Sequence, residues 1–155
     1  MRAFRRARAR NRALAAVSIL CVALILQTLA PTAAMATTTA EYTEASYVNH
    51  DRANHGLRGL KLSGWVSELA HRHSLRMWSQ HRLFHDCLYC LLRSNGWSVM
   101  GENVGYASSL RGMNRIFMNS PPHRANILTK GFTRMGVGVV RAGGMVWVTE
   151  IFFRP

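Results

Sequence analysis

The sequence predicts an α+β domain in which helices and strands form separate layers. Three observations lead to this prediction: helical patterns fill residues 41–79, a β-hairpin pattern lies near the C-terminus, and one further helical pattern separates two strand segments. Strands joined by a tight turn favour an antiparallel sheet, whose apolar faces the helices must cover. A doubly wound parallel sheet is disfavoured because strands and helices do not alternate regularly.

Three segments carry apolar residues at helical spacing, namely residues 41–56, 65–79 and 109–118. The first is expected to end at a glycine that favours the left-handed cap conformation. Ser63 is the expected N-cap of the second helix. His73 lies on the apolar face of that helix, where we expect a buried, hydrogen-bonded structural histidine.

The strand patterns lie in the second half of the chain. Residues 97–106 form a strand-like segment that Gly101 is expected to interrupt. Residues 132–141 alternate between larger apolar and small or charged side chains, which is typical of a strand. The Ala-Gly-Gly sequence at 142–144 predicts a tight turn, so residues 145–153 are expected to pair with the preceding strand as a hairpin.

Residues 119–128 are expected to form a rigid corner. Pro121 and Pro122 lack amide donors and disfavour helical angles in the residue before each, so the third helix should end there. His123 follows directly and would be held in place on this corner, where its protonation near neutral pH makes it useful. Ser120 is interpreted as a capping serine, and a role as nucleophile beside His123 is disfavoured.

The first 36 residues have the three parts of a secretory signal. Six arginines and no acidic residue lie within residues 1–12, residues 13–30 are almost wholly apolar, and Ala-Met-Ala at 34–36 is a small-x-small cleavage site. The length of the apolar run leaves an uncleaved membrane anchor as an alternative. Either way, the sequence predicts export to the cell surface or beyond it.

The expected organisation is a signal peptide at 1–36, a short leader at 37–46 and a single folded domain at 47–155, which we expect to be monomeric. Without the signal arginines, residues 37–155 still carry 14 basic and 7 acidic side chains. This surplus favours acidic partners such as anionic lipids or wall polymers. A nucleic-acid partner is disfavoured because the basic residues are spread out and do not alternate with aromatic ones.

Cys87 and Cys90 form a closely spaced pair. Exported proteins oxidise such pairs, so a disulfide is the expected state. His81 and His85 lie just upstream, which keeps a zinc site, a redox-active pair or two free thiols as alternatives.

The candidate chemistry lies in His85, Glu102 and His123. Glu102 is flanked by Gly101 and Gly105, which allow close approach of the backbone and crowd the carboxylate. A buried acid needs a partner. Two histidines and a glutamate from distant segments could surround a divalent metal such as zinc, or could form a hydrogen-bonded cluster that shapes a cleft.

The chain also resembles a known family. An ordered series of short motifs covers nearly all of residues 47–153: Asn49-His50-Asp51-Arg52, Gly56-Leu57 and Leu60, Leu69-Ala70, His73-Ser74 and Met77, His85, Gly101-Glu102-Asn103-Val104-Gly105, Asn119-Ser120-Pro121-Pro122-His123-Arg124-Ala125-Asn126-Ile127-Leu128 and Met135-Gly136-Val137-Gly138-Val139. This series is similar to the bacterial branch of the CAP superfamily, which comprises cysteine-rich secretory proteins, antigen 5 and pathogenesis-related 1 proteins and shares the SCP domain.

The resemblance implies a three-layer α-β-α sandwich with a central, mostly antiparallel sheet. It also implies a cleft in which two histidines and two acids gather and, in some members, hold a divalent metal. His85, Glu102 and His123 match three of these four groups. The fourth departs from the pattern, because Asn119-Ser120 stands where many eukaryotic members have an acid. Loss of an anionic ligand weakens the hold on a cation.

We therefore expect an exported binding or interaction module for an extracellular or cell-surface ligand. His85, Glu102 and His123 would form its cleft, with Asn103, Asn119 and Ser120 lining it. One alternative is a hydrolase of peptide, ester or nucleic-acid bonds in which Glu102 is the general base and the two histidines hold a water. Another is lipid binding, which the resemblance also implies.

Overall fold

A computed structural model describes residues 37–87, 90, 94 and 96–155. The predicted signal peptide at 1–36 lies outside the described residues. Within them the order of elements is α1 (Thr39–Asn54), β1 (Lys61–Leu62), α2 (Gly64–Ser79), β2 (Val99–Ala107), α3 (Leu110–Asn119), α4 (Pro121–Leu128), β3 (Arg134–Ala142) and β4 (Met145–Arg154). None of the helices in this part of the chain has the length and apolar character needed to cross a bilayer.

The strands form one sheet in the order β1-β3-β4-β2. β4 pairs antiparallel with both β2 and β3, and only the two-residue β1 pairs parallel, with β3. The expected central, mostly antiparallel sheet is therefore confirmed. β2 is an edge strand, so groups from both helical layers can meet around its free side.

Helices cover both faces of the sheet. On one face, Val48 of α1, Phe117 of α3 and Ile127 of α4 pack in a common core with Val137 and Phe152. On the other face, α2 packs against the sheet through residues that include Val66, Ala70 and Met77. All of these side chains are buried, and burial of apolar surface is the main stabilising term. The predicted α-β-α sandwich is confirmed.

Helix α1 begins earlier than expected because Thr38 and Glu41 form a capping box. The Glu41 amide donates to Thr38 Oγ1 (3.3 Å), and the Thr38 amide donates to Glu41 Oε2 (2.7 Å). This reciprocal pair satisfies two amides that a helix start would leave unpaired. Residues 39–46 therefore belong to the first helix, within the segment 37–46 that was expected to be a leader.

Gly101 does not interrupt β2, contrary to the prediction, because the strand runs unbroken through it. A Cβ atom at this position would lie 2.8 Å from Asn126 Oδ1 and 3.1 Å from the Phe132 ring. The glycine therefore serves close packing of α4 against the strand. The absence of a side chain at Gly101 leaves room for Asn126 and Phe132, and β2 continues through this position.

The expected corner at residues 119–128 is also wrong in part, since Pro121–Leu128 is helix α4. Proline ends a helix when it lies in the interior but is well suited to a first turn, where its missing amide would have no partner. Pro121 and Pro122 occupy those first positions. They end α3 and start α4, and they place His123 in the first turn of the new helix.

The C-terminal hairpin is confirmed. β3 and β4 pair residue by residue from Arg134–Phe153 to Ala142–Met145. Gly143 and Gly144 have φ of 59° and 71°, the left-handed conformation that a two-residue hairpin turn requires.

Candidate functional site

His85 and Glu102 are in direct contact. His85 lies in the loop after α2, and its Nδ1 is 2.7 Å from Glu102 Oε2. The Asp86 amide donates to the same oxygen (3.2 Å). The Glu102 side chain is fully buried, whereas 56% of the His85 side chain is exposed. The buried carboxylate thus fixes the orientation of a solvent-reachable imidazole, whose Nε2 is not used in this contact.

Opposing effects act on the pKa of Glu102. Burial raises the pKa because the charged form loses its hydration. The hydrogen bond with His85, the charge of His73, the Asp86 amide and the charge of His85 oppose this, and burial outweighs them. Glu102 Oε1 is buried without a hydrogen-bond partner. The hydrogen bond with His85 is the largest of the effects that compensate the buried carboxylate.

His123 lies in the first turn of α4 and is half-buried. Its Nδ1 is 2.8 Å from Ser120 Oγ, and its backbone oxygen accepts a hydrogen bond from Asn103 Nδ2 (3.2 Å). Burial lowers the pKa of His123, and the charge of His85 lowers it further. The neutral form of the His123 imidazole is therefore favoured. The contact of Nδ1 with the Ser120 hydroxyl sets the orientation of the ring.

Asparagine side chains connect the two histidine segments around the free edge of β2. Asn126 of α4 donates to the backbone oxygen of Glu102 (3.0 Å) and to Asn103 Oδ1 (2.9 Å). Asn103 in turn holds the backbone of His123. The structure therefore brings Glu102 and His85 into direct contact, and the backbone of His123 is connected to the same strand, β2, through the side chain of Asn103.

The predicted lining residues have different positions. Asn103 is fully buried and acts as a connector, so it does not line an open surface. Ser120 is the N-cap residue of α4 but makes no capping hydrogen bond with its side chain. Ser120 therefore has the expected cap position, but its hydroxyl contacts His123 and not a backbone amide. Asn119 is exposed and borders a separate surface depression with Pro121.

Two histidines and a carboxylate are the kind of donor set that zinc uses. Here, however, Glu102 Oε2 already accepts hydrogen bonds from His85 and from the Asp86 amide. This oxygen therefore orients His85, a potential metal ligand, and is not itself free to bind a metal ion. Among the described residues, no three histidine, cysteine, aspartate or glutamate side chains are grouped so that they could hold a metal ion. The arrangement does not fit a preformed metal centre, and metal binding stays a prediction.

Sequence reasoning missed a second ion pair beside the site. Asp86 Oδ2 is 2.6 Å from Arg76 Nη2 and 3.1 Å from His73 Nδ1. His73 is fully buried and its Nε2 donates to the Phe84 backbone oxygen (2.8 Å), which agrees with a structural role. These contacts hold the loop that carries His85. The only sequence signal for this ion pair was that Asp86 directly follows His85.

The loop is held further by the expected disulfide, which joins Cys87 and Cys90. With both sulfurs bonded to each other, neither is a zinc ligand or a free thiol in this structure.

Comparison with known proteins decides the family. Residues 45–152 match the model of the cysteine-rich secretory protein family, CAP. This chain belongs to the CAP family. The matched segment begins within α1 and ends in β4, so it includes every element that positions His85, Glu102 and His123.

Individual relatives agree with this assignment. The CAP domain is 28% identical over 110 residues to the uncharacterized protein YkwD of Bacillus subtilis, a match that covers 66% of this chain and 42% of YkwD. An extracellular protein from Bacillus anthracis that contains an SCP domain has a similar structure, with a TM-score of 0.66, 26% identity and coverage of 75% of this chain and 40% of that protein. The chain thus spans less than half the length of these two relatives.

An outer surface protein of Borrelia burgdorferi shares the fold at lower sequence similarity. Its TM-score is 0.66 at 12% identity, with 77% of this chain and 96% of that protein covered. At such identity the likeness concerns the fold alone.

Proposed function

We propose that this CAP-domain protein is exported and binds an extracellular or cell-surface ligand at the site formed by His85, Glu102 and His123. The observation that carries the proposal is the 2.7 Å contact between a buried carboxylate and an exposed imidazole. Export is supported by the signal-like N-terminal sequence and by the similarity to an extracellular protein of Bacillus anthracis that contains an SCP domain.

The chemistry of the site favours an acidic ligand. His85 presents an imidazole that Glu102 holds in one orientation, and a protonated imidazole donates from both nitrogens. A ligand oxyanion at the exposed nitrogen would then form a charge-assisted hydrogen bond. The basic surplus of residues 37–155 would attract such a ligand from a distance. Acidic wall polymers and anionic lipids have this chemistry.

Binding to cell envelopes tests the proposal. We expect the purified protein to co-sediment with envelope fragments of its own host, and His85→Ala to weaken binding about tenfold, as removal of a central contact does. Glu102→Gln should weaken binding less, since it removes only the group that orients His85. His50→Ala is the matched control, because His50 is also exposed. Equal binding by His85→Ala and His50→Ala would disprove the proposed site.

A hydrolase is the second candidate, and the same contact favours it. Glu102 was expected to be the general base, but its buried Oε2 already accepts two hydrogen bonds. The geometry therefore supports His85 as the proton acceptor and Glu102 as its positioning partner, as in other catalytic pairs of acid and histidine. Glu102→Gln should then lower kcat by roughly 10²-fold or more on any peptide, ester or nucleic-acid substrate that is turned over, without loss of folding. Undiminished turnover in this variant would exclude the role.

Zinc binding can be tested without any activity assay. If His85 and His123 bind zinc, added zinc should raise Tm, because a ligand present at 100 times its Kd stabilises the folded state by about 2.7 kcal/mol. His123→Ala should abolish the rise, whereas His50→Ala should leave it unchanged. A shift of the same size in His123→Ala, or none in the unmodified protein, would rule out this pair as zinc ligands.

A further inference from the structure

A basic cavity lies at the opposite end of α4 from His123. It has a volume of about 620 Å³, within the usual range for small-molecule sites, and is bounded by the segment after α1 and the segment between α4 and β3. Five of its ten lining residues are cations and none is acidic: Arg52, Arg58, Lys61, Lys130 and Arg134. The cavity shares no lining residue with the His85–Glu102–His123 site.

Arg52 forms a fixed cationic wall of this cavity. Only 2% of the residue is exposed, and its guanidinium donates to the backbone oxygens of Arg58 (2.9 Å), Ile127 (2.7 Å) and Thr129 (2.9 Å). Within the described part of the chain, no carboxylate lies within ion-pair distance of Arg52. Buried charges usually have a counter-charge. Here three carbonyl oxygens hold the cation in place, and no carboxylate of the described residues neutralises it.

The other four cations increase this excess of positive charge. All four are exposed, and none belongs to an ion pair among the described residues. Lys61 and Arg134 are register partners on the adjacent strands β1 and β3. Like charges directly opposite each other destabilise a sheet. An anion bound between Lys61 and Arg134 would explain why both cations lie at the rim of the cavity.

We propose that this cavity is a binding site for a soluble anion with two or more phosphate groups. Arginine binds phosphate oxygens through paired hydrogen bonds, and lysine adds point charge, so the mixture of arginines and lysines suits this ligand class. Several cations around one cavity match several negative charges better than a single carboxylate. The cavity also exceeds the space that one phosphate group would occupy, which favours a linked series of phosphates.

Calorimetric titration of the purified protein with tripolyphosphate, in buffer free of phosphate, tests the proposal. We expect binding that weakens as salt rises, because ion contacts are screened. The double variant Arg58→Glu/Lys61→Glu should weaken it about tenfold or more. Arg115→Glu/Arg141→Glu is the matched control, since it changes net charge equally at exposed positions outside this cavity. The control should retain affinity within about threefold.

Lys130→Ala/Arg134→Ala provides a second test that does not introduce acids near β1, in case the first double variant fails to fold. It should also weaken tripolyphosphate binding while the Tm stays close to that of the unmodified protein. Citrate, a multiply charged anion built from carboxylates, should bind more weakly. Equal losses in the cavity and control variants, equal affinity for citrate, or no binding of tripolyphosphate would each overturn the proposal.

Discussion

Gly138→Ala is expected to lower Tm by about 10 °C or more, which corresponds to a loss of roughly 3 kcal/mol in the free energy of unfolding. A Cβ atom on Gly138 would lie 2.1 Å from the backbone carbon of Ala70 and 2.1 Å from the backbone nitrogen of His71. These are main-chain atoms of α2, so no side-chain rotation relieves the clash. The helix must shift away from the sheet and lose contacts along its length. Thermal unfolding followed by circular dichroism measures the effect.

Gly64→Ala is the matched control for this prediction. Gly64 is the exposed first residue of the same helix, and an added Cβ would meet only Thr37 Oγ1 at 3.8 Å, an ordinary contact. Its effect should be near zero or slightly stabilising, because alanine is a better helix former than glycine. If Gly138→Ala and Gly64→Ala unfold within about 2 °C of each other, α2 does not pack as closely on the sheet as the structure indicates.

The same glycine shows what the sequence could and could not predict about the fold. Alternation in residues 132–141 predicted a strand, and the strand is present. The alternation cannot tell that Gly136 and Gly138 face a helix nearly 70 residues earlier in the chain. Contacts between remote segments depend on how layers are stacked, and a period of two reports only which side chains share a face. The layered fold itself was expected because the helical and strand patterns are long and regular.

The site follows a similar rule. His85, Glu102 and His123 could be singled out by residue type and by the motifs around them, and the structure places His85 in contact with Glu102. The structure around His123 could not be predicted in full, because two prolines are equally compatible with a turn and with the start of a helix. Whether the Ser120 hydroxyl bonds to an amide or to an imidazole is decided by side-chain geometry, on which spacing carries no information.

A pair of buried acids, Glu44 and Glu150, was missed, although the sequence held a signal for it. Glu150 lies between Val148 and Phe152 in a strand where alternate residues face one core, so the pattern places an acid inside. Glu44 lies one helical turn before Val48, on the buried side of α1. An acid at an apolar position of either pattern predicts a buried carboxyl. Neither pattern alone shows that the two acids face each other.

Glu44 and Glu150 are completely buried and poorly satisfied. Both carboxyl oxygens of Glu44 and Oε1 of Glu150 have no hydrogen-bond partner, while Glu150 Oε2 accepts from Asn103 Nδ2 (2.9 Å). Burial, followed by the negative charge of Glu150, raises the pKa of Glu44 to about 9. Burial also raises the pKa of Glu150 to about 7, although its bond with Asn103 opposes the increase. One proton or more is therefore retained in the core at neutral pH.

This pair is linked to the candidate site through Asn103. The same Nδ2 that donates to Glu150 also donates to the backbone oxygen of His123, and Asn103 Oδ1 accepts from Asn126. A change in the charge of Glu150 acts directly on the amide that holds the first turn of α4. The buried pair and the position of His123 thus belong to one hydrogen-bond network, in which each group restricts the others.

The free energy of unfolding is expected to fall as pH rises from about 4.5 to about 9. Both glutamates have a pKa above the ordinary 4.5 when folded, so over this range the folded state binds more protons than the unfolded state. Between pH 5 and pH 8 the two raised pKa values together imply a loss on the order of 6 kcal/mol, measured by urea unfolding at each pH. The pKa of His123 is lowered, so His123 acts in the opposite direction near its usual value of 6.5 and reduces the slope there.

Glu44→Gln isolates the contribution of Glu44, because Glu150 and His123 are present with and without the substitution. The amide has nearly the same shape and does not ionise, so the variant should be more stable than the unmodified protein at pH 8 and similar to it at pH 5. Glu68→Gln is the control, since Glu68 pairs with Arg72 near the surface, where ion pairs contribute little. It should keep the original slope. Parallel pH dependences for Glu44→Gln and the unmodified protein would mean that Glu44 does not hold a proton in the folded core.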